Sequence, residues 1–480
     1  MGWPFVLEFQ KFLQERNIDA SHVYKVDQNA EKSKHLEPGG ITIFGQKIEF
    51  VNLRSEEYAA DSRVPTIEFG TPVQDALRRD ATINALFYNI HTRSVEDLTD
   101  KGIPDLQAGL IRTPLPARET FLDDPLRVLR CIRFSAKFGF DIDPDVKKSA
   151  LDPVIQDAII AKVSRERVGV EIEKMLTGRD PSAAMSHIHD MSLYDVVFNV
   201  PSTVVLTPRP TSTDSGLVAT ILFQNIVSGT LPESLTKIHP TLLAHVDENK
   251  AARGRLFMGA ALTPFAGTSY PQKNSTKPRK QGAEVAIREG LKLGTQGHYL
   301  DGVPVLFEAA AMLKQPVLEK WASRSERVAM GIMLRHKNVH NPLTGTFWQS
   351  SLLFSLLQEL VAVYDLDKAE LDVPRANALI ELYNALVARI EELDLPSTLD
   401  AKPLLDGKAL CRIFDKKPGP WVSGVASKVL EWQLDHPDAS PAECETWLAE
   451  EWRAGRIELT EPPKRLNDGE ASSSKKQKQR

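Results

Sequence analysis

The chain has 480 residues, 42% of them hydrophobic and 26% charged, the balance of an ordinary globular protein with room for roughly two to four domains. With 59 Lys and Arg against 64 Asp and Glu the formal charge is −5, so no chain-wide basic field draws it to a polyanion, and a nucleic-acid surface would have to be a local patch. It contains no apolar run of the roughly 18 residues a membrane span needs. Its three cysteines, Cys131, Cys411 and Cys444, have no CxxC neighbours, which argues against a zinc cluster or disulfide framework and for a reducing compartment.

Taken in order, "MGWPFVLEFQKFLQERNIDA" reads as an amphipathic helix with Phe5, Val6, Phe9 and Phe12 at helical spacing. It carries no signal or transit pattern. Residues 38–54, "PGGITIFGQKIEFVNLR", predict a hairpin: strands Ile41–Phe44 and Lys47–Arg54 about a Gly45-Gln46 turn, with Glu49 on one strand face with Val51 and Leu53. A second short β-like stretch follows Asn89. The segment "DLTDKGIPDLQAGLIRTP" is punctuated by Gly102, Pro104 and Gly109 and reads as loop-rich. From Asp124 onward helix signals dominate. Residues 201–217 and 264–282 read as boundaries or insertion loops, and the polar, basic end after residue 462 as disordered.

Two stretches carry chemistry. In "TFLDDPLRVLRCIRF", residues 120–134, Asp124 stands at an N-cap position and Pro125 in the first turn. Residues three apart share a helix face, so Asp124, Arg127, Arg130 and Arg133 form one stripe, while Leu126, Val128, Leu129, Ile132 and Phe134 pack. A carboxylate beside an arginine is an acceptor–donor edge. Cytosine and adenine each present an amine next to a ring-nitrogen acceptor, which matches that edge; uracil and guanine present the reverse order. Arg130 and Arg133 would then reach phosphates. A solvated charged face is the competing reading of the same spacing. In "RRDATINAL", residues 78–86, Asp80 is suited to a ribose 2′-hydroxyl and Arg78 or Arg79 to a triphosphate; the competing reading is a surface helix capped by Asp80.

"RRDATINAL", "DLTDKGIPDLQAGLIRTPLP", "FLDDPLRVLRCIRF" and "VSRERVGVEIEKML" follow one another between Arg78 and Leu176. In that order they resemble the tRNA CCA-adding nucleotidyltransferases of the bacterial and eukaryotic class, within the polymerase-beta-like superfamily. "EFVNLRSE" and "TIEFGTPVQDALRRDATINALFYNI" are similar to fungal members in particular. The resemblance implies an α+β fold: a nucleotidyltransferase head over 1–118, then a mostly helical neck over 119–200, body over 201–395 and tRNA-binding tail over 396–462, ending in a basic tail over 463–480. It implies nucleotide contacts from Arg78, Arg79, Asp80, Asn84, Asp123, Asp124, Arg127, Arg130 and Arg133, the first acid of the pairing motif being Asp123 where many members have Glu. It implies a flexible loop at Gly102, Asp105 and Leu106, and a neck brace at Glu166, Arg167 and Glu171. CTP and ATP would be substrates, Mg2+ the metal and tRNA the partner of a monomer without membrane attachment, serving mitochondria as well as cytoplasm and nucleus.

The sequence also departs from the family. The GGxVRD triphosphate motif and the DxD metal pair are not found. Gly39-Gly40 leads into Ile-Thr-Ile, and Asp141-Ile142-Asp143 comes after the base-pairing motif and reads as a loop. No metal ligands are identifiable; Glu49 is a lone candidate third acid. The expectation is that the catalytic start of the head is missing, through a late start codon or a genuine truncation, and that the chain binds nucleotide and tRNA but turns over little. A poly(A) polymerase of the same superfamily and a non-catalytic tRNA-binding remnant are the alternatives.

Farther along, Lys273, Lys277, Arg279, Lys280, Arg288 and Lys292 make a basic stretch that would follow an RNA backbone or be a solvated insertion. "LLDGKALCRIFDKKPGPWVSGVASKVLEWQLDHP" resembles the family's tail. It reads as helix, Lys-Lys-Pro-Gly-Pro turn and helix, whose open amides favour phosphate. Lys416, Lys417 and Trp421 are the tRNA candidates there, against a plain helix hairpin.

Overall fold

The computed structural model describes residues 2–25, 38–57, 66–210, 212–272, 279–315, 325–457 and 459. The expected basic tail over 463–480, and Lys273 and Lys277, lie outside these residues. The chain divides into two compact units: residues 1–314 with 341–381, and residues 315–340 with 382–480.

The first unit opens with helix α1 (Gly2–Glu15) and strands β1 (Ala20–Lys25), β2 (Gly39–Ile43) and β3 (Gln46–Phe50), which form an antiparallel sheet in the order β1-β2-β3. Val6 and Leu13 of α1 bury against Ile41 and Ile43, with Trp3, Phe9 and Phe50 closing the sides. Phe5 and Phe12 remain exposed, so only part of the apolar face is core. The hairpin turn falls one residue earlier than expected. Phe44 and Gly45 both take positive φ, 50° and 73°, as a two-residue turn of the twist-compatible hand requires. The second strand also stops at Phe50; residues 51–53 are irregular, and β4 (Arg54–Glu57) pairs instead with β5 (Thr66–Phe69). Glu49 therefore does not share a strand face with Val51 and Leu53.

Next come α2 (Pro72–Leu77), a 3-10 turn over Thr82–Asn84, the β6 (Phe87–Asn89) and β7 (Ser94–Glu96) hairpin, α3 (Gly102–Ala108) and β8 (Leu110–Ile111). Thr71 and Gln74 make a reciprocal capping box on α2, with Pro72 at its first position. Helices α4 (Ala117–Asp123) and α5 (Arg127–Phe138) meet at a corner, and β9 (Asp141–Ile142) returns parallel to β8. Asp141 and Ile142, expected as loop, are strand, and Asp143 caps α6 (Pro144–Ala150) by accepting the Asp145 amide at 2.9 Å. Helices α7 (Pro153–Lys162), α8 (Arg165–Leu176), α9 (Pro181–Asp190) and α10 (Tyr194–Val197) follow, and α5 packs on both α8 and α9.

The long helices begin with α11 (Asp214–Ser228), which takes up the end of the expected loop over 201–217. They continue with α12 (Pro240–Glu248) and α13 (Lys250–Ala261). The expected loop over 264–282 holds two short paired strands, β10 (Ser269–Tyr270) and β11 (Lys280–Gln281), leading to α14 (Gly282–Val285) and α15 (Tyr299–Leu313). The second unit contributes α16 (Glu326–Leu334), and the first resumes with α17 (Trp348–Ala362), β12 (Tyr364–Asp365), β13 (Glu370–Leu371) and the start of α18 (Val373–Glu392). Leu352, Leu353, Phe354, Leu356 and Leu357 of α17 are wholly buried.

The second unit ends in α19 (Gly407–Phe414), α20 (Trp421–Asp435) and α21 (Pro441–Arg453), around a core of Leu410, Phe414, Trp421, Val425, Val429, Cys444 and Leu448. All three cysteines are free thiols, and burial pushes Cys444 up to about 11. Among the described residues no helix is long and apolar enough to cross a membrane.

Candidate nucleotide-selection site

The site starts from a carboxylate that the motif reading passed over. Asp75 lies on α2 three and four residues before Arg78 and Arg79, the spacing that puts side chains on one helix face. It is buried. Its Oδ1 accepts from Arg78 Nε at 3.0 Å and from the Arg54 amide at 3.3 Å, and its Oδ2 from Arg79 Nε at 3.2 Å and Nη2 at 2.8 Å. Burial pushes the Asp75 pKa up, but the bonds from Arg78 and Arg79 outweigh it and hold the group below the usual carboxylate range. Arg79 also donates to the Asn84 carbonyl at 3.0 Å and covers the Phe87 ring. Both arginines are thus aimed by one internal acid.

Asp80 does not cap a helix. It is buried beyond α2, and the Thr82–Asn84 turn begins after Ala81 without a side-chain cap. Asp80 Oδ1 accepts from Asn84 Nδ2 at 2.9 Å and Oδ2 from Arg130 Nε. The third and seventh positions of "RRDATINAL" are therefore bonded to each other.

The expected flexible loop is a helix. Gly102 begins α3 and Asp105 lies within it, buried, accepting from Thr82 Oγ1 at 2.6 Å and Arg112 Nε at 3.1 Å. Asp97 starts the helix by accepting the amides of Thr99 at 3.2 Å and Ile103 at 2.8 Å. Pro104 is tolerated in the first turn, where no amide bond is lost.

The stretch expected to pair with the base occupies the α4–α5 corner. Asp123 closes α4, Asp124 is the next residue, and α5 starts at Arg127, later than an N-cap at Asp124 would place it. Asp124 still ties the corner together: Oδ1 accepts the Leu126 amide at 3.2 Å and its carbonyl the Arg127 amide at 3.0 Å. Oδ2 accepts from Arg167 Nη2 at 3.0 Å. Arg127 is buried, with Nη1 donating to the Thr120 carbonyl at 3.3 Å, so the solvated-face reading does not describe it.

Arg130 and Arg133 run down the same side of α5 to Glu171 of α8. Arg133 Nε is 2.5 Å from Glu171 Oε2, and Arg130 Nη1 and Lys174 Nζ are each 3.7 Å from Oε1. Glu171 is almost fully buried, while Glu166 at the start of α8 is exposed. Of the expected brace, Arg167 and Glu171 face α5 and its corner; Glu166 does not join them.

Other expected residues fall elsewhere. Glu49 is exposed on β3, opposite Gly40. Lys416 and Lys417 are exposed in the α19–α20 turn, but Trp421 is a core residue: its ring meets Phe414 edge-on at 5.4 Å and its Nε1 donates to the Lys417 carbonyl at 3.2 Å. Its spacing with Val425 and Val429 along α20 is what buries it. In the basic stretch, Lys280 and Arg288 pair with Glu284, and Lys292 with Glu289 at 2.7 Å.

A family model described as the poly A polymerase head domain matches residues 12–112, and one described as a probable RNA and SrmB-binding site of polymerase A matches residues 139–205. The mitochondrial CCA tRNA nucleotidyltransferase of Saccharomyces cerevisiae is 35% identical over 465 residues, covering 93% of this chain and 82% of its own. A solved CCA-adding enzyme in complex with CTP aligns with TM-score 0.53 at 20% identity, over 94% of this chain and 84% of that one. The Thermotoga maritima CCA-adding enzyme complexed with tRNA aligns with TM-score 0.51 at 18% identity, over 93% and 84%. The two structures establish the fold, an α+β nucleotidyltransferase architecture. The chain belongs to the CCA tRNA nucleotidyltransferase family, a family of transferases.

Proposed function

We propose that this chain serves the reaction its relatives are named for: joining C, C and A to tRNA 3′ ends from CTP and ATP, with the protein rather than a nucleic acid choosing the base. The observation that best supports it is the 35% identity over 93% of the chain to a CCA tRNA nucleotidyltransferase. The arrangement at the α4–α5 corner agrees. Asp124 accepts from the exocyclic amine of cytosine or adenine, and Arg127 donates to the neighbouring ring nitrogen. Uracil or guanine would set like groups against each other, and each buried polar group left unpaired costs roughly 1–3 kcal/mol. Asp123 flanks the pair. Asp80 with Asn84 takes the ribose, and Arg78, Arg79, Arg130 and Arg133 exchange part of their carboxylate bonding for phosphate oxygens. Lys416 and Lys417 contact tRNA.

Mg2+ is the metal the family resemblance brings. Holding it for nucleotidyl transfer needs clustered carboxylates. Among the described residues no group of three or more His, Cys, Asp or Glu gathers in that way. Asp75, Asp80, Asp105 and Glu171 are each bonded to arginine, and Glu49 stands exposed on β3. The described residues do not fit the metal; what they support is base selection and grip on nucleotide and tRNA. A mitochondrial location is proposed after the yeast relative's name, with cytoplasmic and nuclear service and a monomeric state as further parts of the same reading.

The test sets binding beside incorporation, using the full chain, tRNA lacking CCA, Mg2+ and each labelled nucleoside triphosphate. CTP and ATP should bind in preference to UTP and GTP, and whatever label is joined to tRNA should be C followed by A. Equal binding of all four nucleotides, or polymerisation of AMP alone, overturns the reading.

A further inference from the structure

Helix α8 carries two cations in its first turn, Arg165 and Arg167, with the exposed Glu166 between them. The positive end of a helix macrodipole disfavours cations, so each calls for a compensating partner. Arg165 has backbone carbonyls: Gly290 at 2.6 Å, Val196 at 3.0 Å, and Val197. Arg167 is about half exposed and has a carboxylate, Asp124, 43 residues earlier in the chain.

That bond completes a two-sided hold. Asp124 Oδ1 is fixed by the Leu126 amide, which belongs to its own corner, and Oδ2 by Arg167, which belongs to a different helix. An amide on one oxygen alone leaves the carboxylate plane free to turn about the Cβ–Cγ bond. A second donor on the other oxygen fixes the plane. Each carboxylate oxygen has two acceptor positions, so Arg167 occupies one on Oδ2 and leaves another for a base amine. Its charge also offsets the repulsion between Asp124 and an incoming triphosphate. One turn farther along the same face, Glu171 gathers Arg130 and Arg133, which keeps α8 seated against α5.

We propose that Arg167 is the positioning residue of base selection: it does not touch the nucleotide, but aims the Asp124 carboxylate at the amine of cytosine or adenine. The proposal rests on Asp124 being the base reader. Its consequence is specific. Loss of Arg167 should erode the choice among bases more than it weakens nucleotide binding, because ribose and phosphate contacts lie elsewhere.

Equilibrium dialysis of the full chain with labelled CTP, ATP, UTP and GTP, on the wild type, Arg167→Met and Arg167→Lys, tests this. The wild type should prefer CTP and ATP. Arg167→Met should reduce the CTP-over-UTP preference about tenfold, the loss of one charged hydrogen bond, with tRNA affinity unchanged, and Arg167→Lys should retain most of it. If Arg167→Met keeps the wild-type preference, or weakens all four nucleotides equally, Arg167 has no positioning role while Asp124 remains the reader. If the wild type shows no preference, the base-reading assignment itself falls and this inference falls with it.

Discussion

Arg130 joins two carboxylates that the chain keeps far apart. Its Nε donates to Asp80, fifty residues earlier, and its Nη1 lies 3.7 Å from Glu171 on α8. Burial works against the guanidinium charge, but Asp80 and Glu171 outweigh it and raise the Arg130 pKa. One side chain thus links the proposed ribose contact, the helix after the α4–α5 corner, and the helix whose Arg167 bonds Asp124.

Glu171 is the buried end of that link, with Arg130, Arg133 and Lys174 around it. Removing a buried acid leaves its cations uncompensated, which costs more than the net worth of the pair. Glu171→Ala should lower stability by about 3 kcal/mol, and Glu171→Gln by less because the amide oxygen still accepts. Urea denaturation followed by circular dichroism measures both. An unchanged midpoint for Glu171→Ala would mean that water satisfies the arginines in its absence.

Asp75 gives a pH dependence whose sign is fixed. Its folded pKa lies below its unfolded value, so its stabilisation is fully present above the ordinary carboxylate pKa of about 4. It is lost as pH falls through the lower folded value. Asp75→Asn should be less stable than the wild type at pH 7, and the gap should narrow as the medium is acidified from about pH 5 to pH 3. Thermal unfolding across that range reads the difference. A gap that widens on acidification would reverse the assignment.

What the sequence could show depended on distance along the chain. The Asp75–Arg78–Arg79 cluster lies at helical spacing within "QDALRR" and was open to reading, as was the burial of Trp421 from its spacing with Val425 and Val429. The turn lysines beside Trp421 point to a surface role for it, but a large apolar ring in line with Val425 and Val429 packs first. Gly102 and Pro104 suggested a loop because both break helices in mid-element, yet at a helix start neither costs much. The pairings Asp80–Arg130, Arg133–Glu171 and Asp124–Arg167 had no local signature. Periodicity reports neighbours three or four residues apart, and these span 50, 38 and 43 residues. The α+β class and the order of the four motif stretches needed no such long-range information.

The tail separates a packing role from a binding role. Trp421→Ala should destabilise the second unit by about 3–5 kcal/mol, as expected for emptying a buried aromatic site. The double change Lys416→Ala with Lys417→Ala should leave thermal stability unchanged. If these lysines contact tRNA phosphates as proposed, it should also flatten the slope of log affinity against log salt by about 1–2. Fluorescence anisotropy with labelled tRNA at several salt concentrations measures the slope. An unaltered slope would remove both lysines from the interface.

The seat of α8 offers the sharpest test of packing, because two effects oppose each other at one residue. Gly169 stands in the middle of α8, between Arg167 and Glu171. Helix propensity alone favours alanine there by about 1 kcal/mol. A Cβ at this position, however, would lie 1.9 Å from the Leu291 carbonyl oxygen and 2.9 Å from its carbon. Those are backbone atoms, so no rotamer change relieves the clash; either α8 or the segment at Leu291 must move. Overpacking of this kind costs roughly 1–3 kcal/mol and outweighs propensity, so Gly169→Ala should lower the unfolding midpoint. Displacing α8 would also shift Arg167 away from Asp124, and nucleotide discrimination should fall although no charged residue has changed. A Gly169→Ala variant more stable than the wild type would show that α8 does not sit against Leu291 as closely as these distances require.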